Sequence, residues 1–513
     1  MKLVYLPLDE RPCNLVYPQM IAELIPDLSL VAPTPHQLGQ KKRPANPDAL
    51  GQWLTQAVMD CQIALISLEM LVYGGLLPSR LHLHPQDTLL ERLHRLRSLK
   101  QQVPHLRIFA SNLIMRTPHY NSSEEEPDYY ASYGAAIFRW GWLTDQFERE
   151  GLSPKEQEEL QGLQASIPPA DLADYRDRRS KNRAVNLAAI DLVNEGTLDF
   201  LAIPQDDSAP YGFTAQDQQR VVQKISQHRL QRQIHLYPGA DEVGCTLLAR
   251  AYQQLLGQRR KLYPLFSAVG AEQIIPLYED RPLGESLKSH LLAAGAQWAP
   301  SPDTADAVIA INTPGKKMQE AWDQKTQDIT YSSYRNLRFF VDQIQQLVNQ
   351  GIPVAIADVA FANGGDTELV QLLDDHQIWD DLLAYTGWNT TCNTLGTTLA
   401  LTILGLDSPQ AHVIAHQKIY HLLEDWAYQS TVRSDVVHQF LPKVGASYYN
   451  FQGQDALIHQ AIEQQLLKLW NQTLVHSFHP WTLTRLAVTT PWHRMFEIGM
   501  ILKIADSSQS HHP

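Results

Sequence analysis

The sequence predicts an α/β protein. A parallel-sheet βα-repeat domain, doubly wound or an incomplete barrel, leads into a second α/β domain and a mostly helical C-terminal region. Three observations carry this. Short apolar runs alternate with longer amphipathic stretches. The runs are continuously apolar rather than alternating, as in strands covered on both faces. Each run stops in a polar cluster closed by proline or glycine. The pattern restarts near Leu262 and turns helical after Pro409, which sets domains at 1–260, 261–407 and 408–513, with a helical insertion at about 124–196.

In order, Leu3-Val4-Tyr5-Leu6 forms a first strand ending in Pro7-Leu8-Asp9-Glu10-Arg11-Pro12. Ile63 to Leu68 runs into Glu69, then Gly74-Gly75-Leu76-Leu77-Pro78-Ser79-Arg80, where paired glycines permit positive φ or close approach of the backbone. Leu106 to Ala110 ends ahead of Arg116-Thr117-Pro118. The insertion carries aromatics from Tyr129 to Trp142, read as core, and a charged run from Asp171 to Arg183, read as surface. Phe200 to Ile203 ends in Pro204-Gln205-Asp206-Asp207-Ser208, and Ile234 to Tyr237 ends in Pro238-Gly239-Ala240-Asp241-Glu242. The second domain has strands at Ile274–Leu277, Ala307–Ile311 and Ile352–Ala357. Late strands near Arg485–Val488 and Phe496–Leu502 return to a sheet edge.

Bulk properties narrow the function. A chain of 513 residues exceeds what one hydrophobic core usually serves. A net charge of −13 argues against a large nucleic-acid surface, which needs a basic face. The longest apolar stretch, Leu395 to Leu406, is interrupted by glycines and threonines and is too short to cross a bilayer. Cys13, Cys61, Cys245 and Cys392 are scattered, as free thiols in a reducing compartment are, and the N-terminus reads as a strand, so a cytoplasmic protein with a small-molecule substrate is expected. Oligomeric state is not specified by these features.

Strand ends are where α/β folds collect chemistry. Asp206 and Asp207 are adjacent carboxyls, so repulsion and partial burial raise at least one pKa and separate an acid from a base. The competing reading is that Asp207 or Ser208 caps a helix starting near Thr214. Asp206, Asp207, Asp241 and Glu242 are the catalytic candidates. Asp9, Glu10, Arg11, Glu69, Arg80 and Arg116 share the expected rim as substrate-binding groups. Downstream, Asn363-Gly364-Gly365-Asp366 offers backbone N–H groups to an anion, or is a plain left-handed turn. Trp388, Asn389 and Asn393 suit stacking and hydrogen bonding to a sugar, or form a rigid joint. Histidine pairs such as His412/His416 lack the glutamate of a zinc-protease motif, and no cofactor or metal is expected.

The stretches PLDERP (7–12), YGGLLPSR (73–80), QDDSAPYG (205–212), PGADEVG (238–244), ANGGD (362–366) and GWNTTCNTLG (387–396) together resemble a bacterial family known as domain of unknown function 4127, over essentially the whole chain. That resemblance implies that the polar strand ends belong to one site. A partial resemblance links Tyr237-Pro238-Gly239-Ala240-Asp241 and Asp358–Asp366 to metallopeptidases of the microcystin-degrading type. The ligand histidines of that pattern are replaced by Gly239 and Ser208. Three readings follow. The first is a carboxylate acid/base hydrolase acting on a glycosidic bond of a small polar or anionic sugar. The second is a hydrolase of amide or phosphoester bonds using Mg²⁺ or Mn²⁺ on the same acids. The third is a non-catalytic sugar or polyol binder.

Overall fold

Residues 1–506 are described by the computed structural model. The chain forms two units, one of Met1–Glu10, Leu28–Leu247 and Tyr278–Asp280, the other of Arg11–Asp27, Leu248–Leu277 and the chain from Arg281 on. In the first unit, β1 (Lys2–Leu6), β2 (Ser29–Val31), β3 (Ile63–Ser67), β4 (Arg107–Ser111), β5 (Phe200–Gln205) and β6 (Ile234–Pro238) pair in the order β2-β1-β3-β4-β5-β6. Every pairing is parallel, with Leu3 opposite Ile63, Ile63 opposite Arg107, and Phe109 opposite Phe200. β3 and β5 are buried along their whole length, as continuous apolar runs require. This open order is doubly wound, not a barrel. The chain reverses direction across the sheet between β1 and β3, so the loops leaving those strands diverge and open a crevice at their carboxyl ends.

The insertion packs as expected around its aromatics: Tyr130, Trp140 and Tyr175 share a core with Ile137, Ile167 and Leu172. Its charged run is only partly surface. The helix Pro169–Asn194 buries Arg178, Arg179, Asn182 and Asn186 alongside its apolar residues.

In the second unit β7 (Lys261–Phe266), β8 (Gln297–Trp298), β9 (Ala307–Asn312), β11 (Val354–Asp358) and β13 (Ala384–Thr386) form a parallel sheet in the order β8-β7-β9-β11-β13, with a small parallel pair of β10 (Gln319–Glu320) and β12 (Phe361–Ala362) beside it. This repeats the winding of the first five strands. The strand expected at Ile274–Leu277 is a turn, because its apolar run lasts two residues before Pro276; Lys261–Phe266 is the strand instead. Pro264 sits in it without loss because β8 pairs only with Lys261 and Leu262, leaving one side of β7 open at the prolyl nitrogen.

The C-terminal stretch is largely helical. It includes a π-helix at Leu422–Val432 and a second at Val436–Phe440. β14 (Trp481–Thr489) and β15 (Gly499–Asp506) pair antiparallel with each other and do not join a sheet edge. All four cysteines are buried. Among the described residues no helix is long and apolar enough to cross a membrane.

Candidate functional site

β5 delivers Asp206 and Asp207 at the carboxyl edge of the first sheet. Asp207 is held at φ +44°, a left-handed backbone that costs a residue with a β-carbon about 1–2 kcal/mol. The two carboxylates meet two arginines. Arg80 Nη2 donates to Asp206, and Arg116 Nη1 donates to Asp207 at 3.2 Å. Neither Asp207 nor Ser208 caps the following helix, Phe213–His228. Gly212 is its N-cap at φ +110°, and the Gly212 N–H donates to Asp145 at 2.9 Å.

The same arginines also hold two glutamates at the start of the insertion. Arg80 Nη1 lies 3.1 Å from Glu125 and 3.4 Å from Glu126, while Arg116 reaches Glu125 at 2.8 Å and Glu126 at 2.9 Å. Four carboxylates thus surround two guanidiniums, and Glu126 Oε2 is buried with no hydrogen-bond partner among the described residues. Asp207 is the most open acid of the group, its side chain 29% exposed. The surrounding protein still desolvates its carboxyl and pushes it up to about 6, against the pull of Arg116 and with a further push from Asp206.

Arg116 is positioned from below by the buried part of the charged run. Arg179 donates to the Arg116 carbonyl at 3.0 Å and the Met115 carbonyl at 2.8 Å, and its own charge is met by Asp217 at 2.7 Å. Tyr175 adds a hydroxyl donor to the Arg116 carbonyl at 3.2 Å. Arg80 is placed by the helix Leu76–Leu81, which Gly74 and Gly75 launch at φ +87° and +136°. A β-carbon on Gly74 would stand 2.6 Å from the Ala45 carbonyl oxygen.

Glu69 follows β3 and is buried. Its Oε1 accepts from Asn112 Nδ2 and the Leu113 N–H, each at 2.7 Å, and its Oε2 from Ser67 at 3.1 Å. Burial outweighs these bonds and pushes its carboxyl up to about 7. Glu69, Arg80, Asn112, Arg116, Asn182 and Asp206 line a cavity of about 10 Å³, about the size of one water. Asp9 is buried at the end of β1. Glu10 accepts from the Lys41 N–H at 2.7 Å, and Lys41 in turn pairs with Glu124, next to the glutamates of the cluster. Asp241 and Glu242 are buried beyond β6, beside the β5 end through the Gly239 N–H bond to the Gln205 carbonyl.

The second sheet carries its own cluster at the equivalent edge. Asn312 ends β9 and Asp358 ends β11. Asp358 accepts from Asn312 at 2.9 Å, from the Asp366 N–H at 2.7 Å and from the Tyr385 hydroxyl at 3.1 Å. Desolvation, then the neighbouring Asp366, push its carboxyl up to about 7. Asp366 is paired with Arg335 and caps the helix Thr367–Asp375 through the Glu368 N–H. The Asn-Gly-Gly-Asp loop therefore turns its N–H groups to protein acceptors and not to an external anion: Gly365 to the Asp425 carbonyl, Asp366 to Asp358, and Thr367 to Gln324. Asn363 donates from its side chain to Glu320 and from its backbone to the Asn389 carbonyl, with Asn363 and Asn389 both at positive φ.

Trp388 is buried, with the rings of Tyr17 and Phe496 edge-on to it at 6.4 and 6.1 Å. Asn393 donates to Thr390 at 3.1 Å. Arg11 reaches Glu497 at 3.4 Å and lies over Trp492. The long π-helix brings Asp425 against the Gly387 N–H and His421 Nδ1, each at 2.9 Å. It also buries Glu424, whose carboxyl is pushed well up by desolvation first and by Asp425 next. π-Helical turns often mark functional positions.

Comparison with known protein families matches residues 3–500 to the family described as "Protein of unknown function (DUF4127)". The chain belongs to that family. A comparison with curated proteins finds no match.

In this DUF4127 chain polar residues beyond the strand ends build two clusters, one in each unit. Glu69, Arg80, Arg116, Asp206 and Asp207 come together in the first, and Asn363 and Asp366 share a loop in the second. Sequence reasoning missed Glu125 and Glu126, whose signal was three consecutive glutamates just before Pro127. It also missed Arg335, His421 and Asp425, which no local motif announces. No grouping of three or more histidine, cysteine or carboxylate side chains suited to a metal occurs among the described residues.

Proposed function

We propose that the carboxyl edge of the first sheet is an acid–base hydrolytic site and that its substrate is a glycoside. The observation that carries this is Asp207, a partly open carboxyl on a strained turn, raised to about 6 between Arg116 and Asp206. Such a group delivers a proton near neutral pH while arginine-paired carboxylates beside it supply negative charge to a developing oxocarbenium ion. Asp207 is the general acid. Asp206 and Glu125, both on Arg80, are the opposing carboxylates. Four acids around two arginines leave the cluster negative, which favours a neutral sugar over an anionic one.

The test is hydrolysis of a panel of chromogenic glycosides by the native chain and Asp207→Asn, each with EDTA and with added Mn²⁺. Turnover that survives EDTA, declines as pH rises through about 6 and drops about a hundredfold or more in the variant supports the reading. Equal turnover in both proteins, or turnover only with metal, refutes it.

A further inference from the structure

The second unit contains an open pocket of about 310 Å³ at the start of the helix Thr367–Asp375, built on the loop that Asp366 closes. A volume of this size lies at the lower end of small-ligand sites. Trp322 forms one wall and is 38% exposed. Its indole is fixed by the buried Arg433, whose guanidinium lies 4.9 Å from the ring centre. An aromatic ring left open yet held in place is a preformed stacking surface, because little side-chain freedom remains to be lost on binding.

The polar wall divides into two sets. Gln324 and Ser430 are committed to the loop: Gln324 donates to the Gly365 carbonyl at 2.8 Å and accepts from the Thr367 N–H at 3.0 Å, and Ser430 donates to the same carbonyl at 2.6 Å. The side chains of Gln327, Gln371 and Thr431 line the pocket and make no hydrogen bond to the described residues. Amides and hydroxyls both donate and accept, which matches a ligand whose hydroxyl groups do the same. The charged lining, Lys325 with Asp366, Glu368 and Asp435, is net negative and disfavours phosphate or carboxylate ligands. The loop itself has no room for a side chain at its glycines: a β-carbon on Gly364 would stand 2.7 Å from Ala321, and one on Gly365 2.0 Å from the Tyr385 hydroxyl.

We infer that this pocket is a binding site for a neutral polyhydroxylated ligand, a sugar or cyclitol ring stacked on Trp322 and hydrogen-bonded by Gln327, Gln371 and Thr431. It lies in a different unit from Asp207 and does not depend on the chemistry proposed there. The test is ¹⁹F NMR of the full chain labelled with 5-fluorotryptophan, the Trp322 resonance being assigned by its loss in Trp322→Phe. Methyl α-glucoside, N-acetylglucosamine and myo-inositol are titrated in turn, with choline as a cationic control. The expected result is a saturable shift of the Trp322 resonance with at least one neutral probe, equal in the native chain and in Asp207→Asn, and about tenfold weaker binding in Gln371→Ala. A resonance that stays fixed with every neutral probe, moves only with choline, or responds equally in Gln371→Ala overturns the inference. Equal glycoside turnover in the native chain and Asp207→Asn with the Trp322 shift intact would refute the first proposal alone.

Discussion

Glu69→Gln isolates one buried carboxyl and should stabilise the protein at neutral and alkaline pH. Glu69 titrates near 4.5 when unfolded and near 7 in the folded chain, because burial outweighs the hydrogen bonds its carboxyl accepts. Below about 4.5 both states carry the proton and the group is neutral in its effect. Between those values the unfolded chain ionises while the folded chain holds its proton, so stability falls as pH rises, and it levels off above about 7. At about 1.36 kcal/mol for each pKa unit, the loss across that window is about 3 kcal/mol. Glutamine keeps the Oε1 acceptor for Asn112 and Leu113, and its amide can donate to Ser67, whose hydroxyl accepts as well as donates. Urea unfolding of native and variant chains at pH 4.5 and pH 8 reads the effect. The two should differ little at the lower pH, with the variant more stable by up to about 3 kcal/mol at the higher one. A native–variant difference that does not change with pH would refute a buried, proton-holding Glu69.

Three further outcomes are expected. Asp217→Ala leaves Arg179 charged and buried and should destabilise the chain by about 3–5 kcal/mol in denaturant melts; it should also loosen Arg116, seen as slower turnover at any Asp207-dependent substrate. Gly365→Ala forces a β-carbon to 2.0 Å from the Tyr385 hydroxyl and 3.0 Å from Asp358, and should lower stability by about 3 kcal/mol, measured by chemical unfolding. Arg80→Met removes the cation shared by Asp206, Glu125 and Glu126, so the apparent pKa of any Asp207-dependent rate should move upward, read from its pH profile.

Much of the architecture is legible in the chain. Continuous apolar runs such as Ile63–Leu68 and Phe200–Ile203 name their strands because burial on both faces leaves no room for alternation. The polar residues just beyond them, Glu69, Arg116, Asp206 and Asp207, stand where the strands stop. Lys261–Phe266 was less visible because Pro264 reads as a breaker, and only the shortness of β8 makes it harmless. The π-helix escaped detection because an apolar pattern over so short a span does not separate four-residue from five-residue spacing. Arg179 looked like surface because charge runs usually are. What buries it is Asp217 and the carbonyls of Met115 and Arg116, all supplied from elsewhere in the chain.

The sequence by itself determined the α/β class, most of the strands and the set of residues that stand at their ends, since apolar periodicity and turn chemistry act over a few neighbouring positions. Only the tertiary structure decided which charges meet. Arg80 and Glu126 lie 46 positions apart, and Arg80 and Asp206 lie 126 apart. The pKa of a carboxyl depends on the solvent it loses and the charges it faces, and both are set by such distant neighbours. The upward shifts of the Asp207 and Glu69 carboxyls come from that assembly.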